Sequence, residues 1–342
     1  MKPTKPILYR AINTLLLSCT VFILHAQDFH LSQYEVASQY MNPALTGMYF
    51  DEKVNYKINA DFREQWRALP SKPYTTGYIA YDMPYQKQWG FGGYIINDQA
   101  GTENVNTLSV LMSAAYKITT NGNSSAPYDL TVGVQMGLLQ KSTHPADYLY
   151  DNQYSTTALG GFDPNLPSGE NISKTAIFRY DANTGIYYRS HNKQKKVNYY
   201  GGFSIFHITK PNQSFIGQND RTPMRFVWNG GAYIDVNRQV MINPNALFML
   251  QANAIELNIG AMGYYRIENT EYSPGFGLAY RYEDAIIINI GLKQGTNLCS
   301  NIYRISYDIN TSPLRNYSGG RGAIEFSVIY SGKRKGRTSS LL

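Results

Sequence analysis

Cysteine is nearly absent. The 342 residues hold two, Cys19 and Cys299, and Cys19 falls in an amino-terminal leader. A lone Cys299 excludes an internal disulfide and any cysteine-based zinc site. Charge is sparse as well, at 16% of residues, where an ordinary soluble domain carries about 25%. Mean hydropathy is nevertheless negative, because Tyr, Asn, Gln, Ser and Thr stand where charges would. After residue 26 no apolar run reaches the roughly 18 residues a membrane-spanning helix needs, which excludes a helical membrane bundle. Disorder is excluded by the opposite feature, an abundance of aromatics: 30 Tyr, 14 Phe and 3 Trp.

The first 26 residues read as an address. Lys2, Lys5 and Arg10 precede an apolar stretch from Leu15 to Leu24, and Ala26 offers a small residue for cleavage before Gln27. The pattern predicts a secretory signal peptide over 1–26. A lipidated Cys19 is the weaker reading, because the apolar run continues past it through Leu24. Removing the leader leaves 28 cations against 24 anions, or +4. The tail cluster Lys333, Arg334, Lys335 and Arg337 supplies that much alone, so no basic nucleic-acid surface is expected.

Beyond residue 50 the period is two. Val54, Tyr56, Ile58, Ala60 and Phe62 alternate with Asn55, Lys57, Asn59 and Asp61; Ile286, Ile288, Ile290 and Leu292 alternate with Ile287, Asn289, Gly291 and Lys293. Ile324, Phe326, Val328 and Tyr330 alternate in the same way with Glu325, Ser327, Ile329 and Ser331. One face meets a nonpolar medium and the other meets water. Runs bounded by Gly, Pro, Asn or Asp predict strands near 52–63, 73–83, 88–97, 103–118, 127–140, 176–189 and 197–208. Others follow near 225–236, 240–251, 253–267, 271–281, 284–293, 301–309 and 322–331. Most are about 10 to 15 residues long, which suits tilted bilayer-crossing strands better than those of a soluble sandwich. The fold class is therefore all-β: a transmembrane antiparallel β-barrel of about 14 strands over 51–332.

Tyrosines and tryptophans at strand ends are expected to form the two interfacial girdles: Tyr78 with Tyr81, Trp89 with Phe91, Tyr187-Tyr188, Tyr199-Tyr200, Tyr264-Tyr265 and Tyr280 with Tyr282. The long connections, 121–127, 142–174 and 210–224, are assigned to the external face. Residues 27–50 lie outside the strand pattern. Their mix of Phe29, Tyr34, Val36, Tyr40, Met41 and Leu45 with polar residues suits a plug in the mouth or lumen better than a free tail.

Nothing singles out catalysis. His30, His144, His191 and His207 are isolated from one another, with no paired-ligand or nucleophile motif beside them. Gly90-Phe91-Gly92-Gly93 lies inside a strand pattern with no helix to follow, so it serves packing or bending rather than phosphate. Asp61, Arg63, Glu64, Arg67 and Glu256 are expected to meet in a lumen network. No cofactor and no metal site is expected.

Three stretches carry a family resemblance. Gln27 to Tyr34 followed by Tyr40-Met41-Asn42-Pro43-Ala44-Leu45-Thr46-Gly47 resembles the entry signature of the PorP/SprF family of the type IX secretion system in Bacteroidetes. Tyr200 to Ser214, including His207 and Pro211, resembles its mid-chain motif, and Ser306-Tyr307-Asp308-Ile309-Asn310 with Leu314 to Ser318 resembles its last hairpin. The resemblance implies an outer-membrane barrel of the fatty-acid-transporter type. It also implies a part in secretion or surface attachment of a large adhesin, linkage to a periplasmic ring lipoprotein complex, and gliding in gliding species. The implied interaction residues are Asn42, Pro43, Gly47, His207, Pro211, Ser214, Tyr307 and Asp308. The rival reading is a channel for a small apolar solute.

Overall fold

The computed structural model describes residues 28–333, except 50, 52, 70–71, 87, 101–104, 119–127, 144–149, 157–160, 164, 170–174, 193 and 297. The expected signal peptide over 1–26 and the basic tail beyond Lys333 lie outside the described residues. Fourteen strands close into an antiparallel barrel among the described residues, each bonded to its sequence neighbours and β1 to β14. They are β1 (Val54–Gln65), β2 (Tyr74–Tyr85), β3 (Trp89–Ala100), β4 (Val105–Lys117), β5 (Tyr128–Ser142), β6 (Ala176–Ser190) and β7 (Val197–Phe206). The second half adds β8 (Arg225–Asp235), β9 (Val240–Gln251), β10 (Ala254–Tyr265), β11 (Tyr272–Arg281), β12 (Ala285–Gly295), β13 (Cys299–Asn310) and β14 (Arg321–Lys333). Closure leaves no free edge in lipid, where an unpaired backbone group costs several kcal/mol.

The two-residue period sets the faces. On β14, Phe326 and Val328 are exposed outward while Glu325 and Ser327 are buried inward. On β1, Ile58 and Phe62 point out and Asn59, Asp61 and Arg63 point in. Val54 departs from the expected outward set. The register slips between Val54 and Tyr56, and this bulge turns Val54 to the inside, where it is 7% exposed. The tyrosine doublets also split. Tyr81, Tyr188, Tyr199 and Tyr265 are exposed on the outer wall, whereas Tyr78, Tyr187 and Tyr264 are buried within. Adjacent strand residues point to opposite faces, so only one of each adjacent pair reaches the outer wall, while Trp89 with Phe91 and Tyr280 with Tyr282, two apart, are exposed together.

Strand parity fixes the rims. The connections 66–73, 143–175, 207–224 and 311–320 share one rim, and Lys333 ends β14 at the other with the turns 86–88, 236–239 and 296–298. Long loops mark the external side. The β4 to β5 connection, which contains 121–127, joins strand ends at the chain-end rim. Its assignment to the external face is therefore corrected: loop length alone misled, and alternation decides.

One seam is short. β5 and β6 pair from Tyr128↔Ser190 to Ser142↔Ala176, but β6 and β7 share only six pairs, Thr184↔Ile205 to Arg189↔Tyr200. The outer part of β6 is completed by the following loop. Ile208 N–H donates to the Ala182 carbonyl at 3.1 Å and the Thr209 hydroxyl donates to the Tyr180 carbonyl at 3.0 Å, while Arg179 of β6 itself donates to the carbonyl of Phe178.

Lipid facing is testable at Ile290, which is 62% exposed on the outer wall. Ile290→Arg is expected to cost about 2–4 kcal/mol, the range for a cation near the bilayer midplane. Ser331→Arg, inside the lumen, is expected to cost little. Urea unfolding in lipid vesicles measures both.

Candidate functional site

The lumen is filled by the segment from Asp28 to Tyr49, which threads it from the loop rim to the chain-end rim. It is irregular apart from one helical turn, Ser38–Met41, and one 3₁₀ turn, Pro43–Leu45. Leu31, Val36, Ala37, Tyr40, Met41 and Ala44 are essentially buried. Leu31, Tyr34, Tyr40 and Met41 form one apolar cluster with inner-wall residues including Tyr78, Ile96, Leu111, Phe206 and Leu247. The part of the inner wall that meets this cluster is thus apolar.

Near the loop rim the plug is held by charge. Arg63 bonds Glu325 and Asp308, each at 2.9 Å, and Arg281 bonds Asp308 at 2.7 Å. The plug completes the cluster. Ser32 N–H donates to Glu325 at 2.8 Å, Gln33 N–H donates to it at 2.6 Å, and the Ser32 hydroxyl donates to Asp308 at 2.7 Å. Such charges bury well only when all are paired, because removing one partner leaves an uncompensated ion. Asp61 faces the same interior, and Glu256 lies 3.9 Å from His30 of the plug. Glu64 and Arg67 do not join this network. They pair with each other at 3.0 Å on a separate, rim-exposed site, since Glu64 follows Arg63 and so points to the opposite face.

A second cluster fixes the start of the plug. His207 follows β7 with φ of +58°, a left-handed conformation uncommon outside glycine. Its ring lies 2.8 Å from Asp28 and 2.9 Å from Asp181, and its N–H donates to Asn183 at 2.9 Å. Arg225 reaches the same Asp28 at 3.1 Å and lies between the rings of Tyr40 and Phe206, 4.1 and 4.4 Å from their centroids. Burial alone would lower the His207 pKa, but the Asp28 charge and the bonds to Asp181 and Asp28 outweigh it, raising the group to about 9. Burial would raise Asp28, yet His207 and Arg225 hold it below the ordinary carboxylate value. His30 is the opposite case: burial and then the Arg281 and Arg63 charges push it well below its ordinary value, so it is neutral.

Deeper in, glycines let the plug backbone touch the wall. A side chain at Gly90 would meet the Thr46 carbonyl at 2.0 Å, and one at Gly133 would meet Ala44 N at 2.3 Å. The Gly90 glycine therefore serves the plug, beyond strand packing. Asn42 caps the 3₁₀ turn by accepting from Ala44 N–H at 2.9 Å and donates to the Ile186 carbonyl at 3.0 Å, in space left by Gly185 and Gly202. Pro43 opens that turn. Gly47, at φ of +66°, donates its N–H to Asp82 at 2.7 Å. At the exit Arg189 binds the Met48 and Tyr49 carbonyls at 2.9 and 3.0 Å.

The fold thus gathers Asn42, Pro43, Gly47, His207 and Asp308 onto the plug and its anchors. Pro211 borders the loop-side cavity and accepts from Thr222 N–H at 2.9 Å. Ser214 stays in the loop, its hydroxyl accepting from Gln218 N–H at 3.0 Å. Tyr307 is 40% exposed on the outer wall, its back to Asp308. His207 looked solitary in the sequence because its partners Asp28 and Asp181 lie far off in the chain; the aspartate-bearing plug segment is the signal that points to them. His191 is 4.0 Å from Asp129 at the chain-end rim, and His144 lies outside the described residues.

Two of the cavities beside the plug differ in character. The loop-side one, about 120 Å³, has Phe29, Leu111, Leu139 and Ile177 in its wall together with Lys141, Arg179 and Asp181. The chain-end one, about 360 Å³, is walled by Tyr34, Tyr49, Tyr187, Tyr200, Tyr233 and Tyr264.

A lipid-facing closed barrel with its two longest loops at one rim and a folded plug is an outer-membrane protein. The model of the type IX secretion system membrane protein family PorP/SprF matches residues 23–330, and the chain belongs to that family. No curated protein matches it. Among solved structures it is similar to the CymD monoaromatic hydrocarbon channel, at 11% identity over 87% of this chain and 93% of that one, with a TM-score of 0.47. It is similar also to a Pseudomonas aeruginosa FadL homologue (10% identity, 87% and 94% covered, TM-score 0.48) and to the P. putida toluene transporter TodX (9%, 86% and 92%, 0.48). Likeness at this level carries no argument about function.

Three outcomes are expected here. Arg63→Met is expected to cost about 3–5 kcal/mol by leaving Glu325 without its cation and Asp308 with Arg281 alone, read by denaturant titration. Gly90→Ala is expected to speed amide exchange over 40–48, while Gly77→Ala, which meets nothing within 4 Å, is expected to leave it unchanged. His207 is raised above its ordinary 6.5, so its stabilisation is full below about pH 6.5 and is lost as pH rises through about 9. Asp28 is lowered, so its contribution holds above its ordinary 3.8 and fails only in strong acid. The melting midpoint in detergent is therefore expected to fall between pH 6.5 and 9, and His207→Gln to flatten that slope.

Proposed function

We propose that this barrel assists secretion of a large adhesin and holds it at the cell surface, acting by binding rather than catalysis. The long-loop rim meets the cargo, the chain-end rim meets the periplasmic ring lipoprotein complex, and in gliding species this couples to the gliding apparatus. Membership of the type IX secretion family supports the setting. The observation that carries the reading is the combination of a filled lumen with an apolar crown. Tyr154, Ile216 and Tyr317 are 60%, 51% and 79% exposed on three different loops of the external rim. Large side chains of this kind supply the anchors that dominate protein interfaces.

A second reading, a channel for a small apolar solute, draws on the apolar side chains of the loop-side chamber. The cations Lys141, Arg179 and Arg225 in the same wall weigh against it, since a buried charge facing an apolar solute loses solvation without gaining a partner. Uptake of such a solute by proteoliposomes would favour it.

Purification from membranes in mild detergent is expected to recover a large secreted adhesin. Tyr317→Ala, Tyr154→Ala or Ile216→Ser is expected to reduce recovery, a full anchor being worth about 2 kcal/mol or more. Ile267→Ser at the chain-end rim serves as control. Unchanged recovery from all three crown variants rules out docking on the crown.

A further inference from the structure

The two rims carry opposite charge. By sequence, the connections at the chain-end rim, with 50–53 leading from the plug into β1, hold seven Lys or Arg (53, 87, 193, 195, 196, 238 and 266) against Asp51, Glu52, Glu268 and Glu271. The loop-rim connections hold six against eight Asp or Glu. The larger chamber lies within the positive half. Lys57, Arg189, Lys293, Arg304 and Lys333 line it, against Glu35 and Asp51. Arg304 is bound to Glu35 at 2.8 Å, Arg189 to Asp129 at 2.8 Å, and Lys333 lies 3.7 Å from Asp51. Lys57 and Lys293 form no ion pair among the described residues. Instead their ammonium groups sit over tyrosine rings, Lys293 at 3.6 Å from Tyr264 and Lys57 at 4.9 Å from Tyr49.

We infer that this chamber binds an acidic, extended polypeptide segment entering from the chain-end rim, with its carboxylates on Lys57 and Lys293. A volume of about 360 Å³ lies within the range of roughly 300–1,000 Å³ usual for ligand sites. The tyrosine walls suit a peptide, offering flat contact surface with polar tips. The barrel's own tail is excluded as occupant by its charge, since Arg334, Lys335 and Arg337 repel the same lysines. Membrane lipid is kept out sideways by the wall, because every strand that lines the chamber is bonded to a neighbour on each side in the closed barrel. The positive rim steers an acidic segment in, and Lys57 and Lys293, which hold only longer-range attraction to Asp82 and Glu35, bind it. This goes beyond the cargo reading and concerns the opposite rim.

The test uses the full-length barrel in detergent and a fluorescein-labelled peptide of alternating Glu and Ser, with a Lys-for-Glu peptide and free glutamate as controls. Anisotropy is expected to show salt-sensitive binding of the acidic peptide alone. Lys57→Ala with Lys293→Ala is expected to weaken it about tenfold, whereas Lys193→Ala with Lys195→Ala and Lys196→Ala in an outer turn is expected to have a much smaller effect. Should the alanine pair not assemble, judged by its β circular dichroism, Lys57→Gln with Lys293→Gln keeps the side-chain stems and gives the same reading. Absence of binding, equal loss in the chamber and turn variants, or competition by free glutamate as strong as by peptide overturns the inference. Loss of adhesin recovery in the crown variants leaves this measurement untouched, so the two readings fail separately.

Discussion

The closure of β1 on β14 is the contact on which the structure depends. Lipid offers the backbone no hydrogen bonds, so the first and last strands must find each other across the whole chain. Arg63 and Glu325 stand directly opposite in that seam, and Asp308 is on the neighbouring strand. The ion cluster that grips Ser32 and Gln33 therefore straddles the point of closure. A barrel not yet closed lacks a complete anchor for its plug. Formation of the wall and seating of the plug are in this sense one event.

The plug and the wall are fitted by complementary means along its length. At the loop rim, where Asp28 and Ser32 lie, charge and hydrogen bonding hold it. In the middle Tyr40, Met41 and Leu31 hold it by apolar packing, and below that bare glycine backbone admits Ala44 and Thr46. Among the spaces this leaves in the lumen, two differ in character, one small and overhung by the loop after β7, the other larger, tyrosine-walled and positive.

Much of the wall was legible in the sequence, because alternation reports a physical boundary between lipid and lumen at every second residue. All the predicted strands correspond to observed ones within a few residues. Facing failed at Val54, where a bulge resets the phase, and at Tyr187 and Tyr264, whose neighbours share their chemistry but not their face. The rim of the β4 to β5 connection was misjudged because length is a weak sign beside parity. The family motifs mark His207 and Asp308 singly, but the pairings around them are not legible in the sequence. Their partners lie up to 293 residues apart, as with Ser32 and Glu325, and only the closed ring brings them together.

The loop that follows β7 has two roles at once. By supplying Ile208 and Thr209 to the carbonyls of β6 it replaces the stretch of ladder that the short seam lacks. A segment that by position belongs to the crown is thereby also part of the hull. It is not free to drift in length or conformation as external loops commonly are, since any change that lifts it would open the barrel sideways toward the membrane.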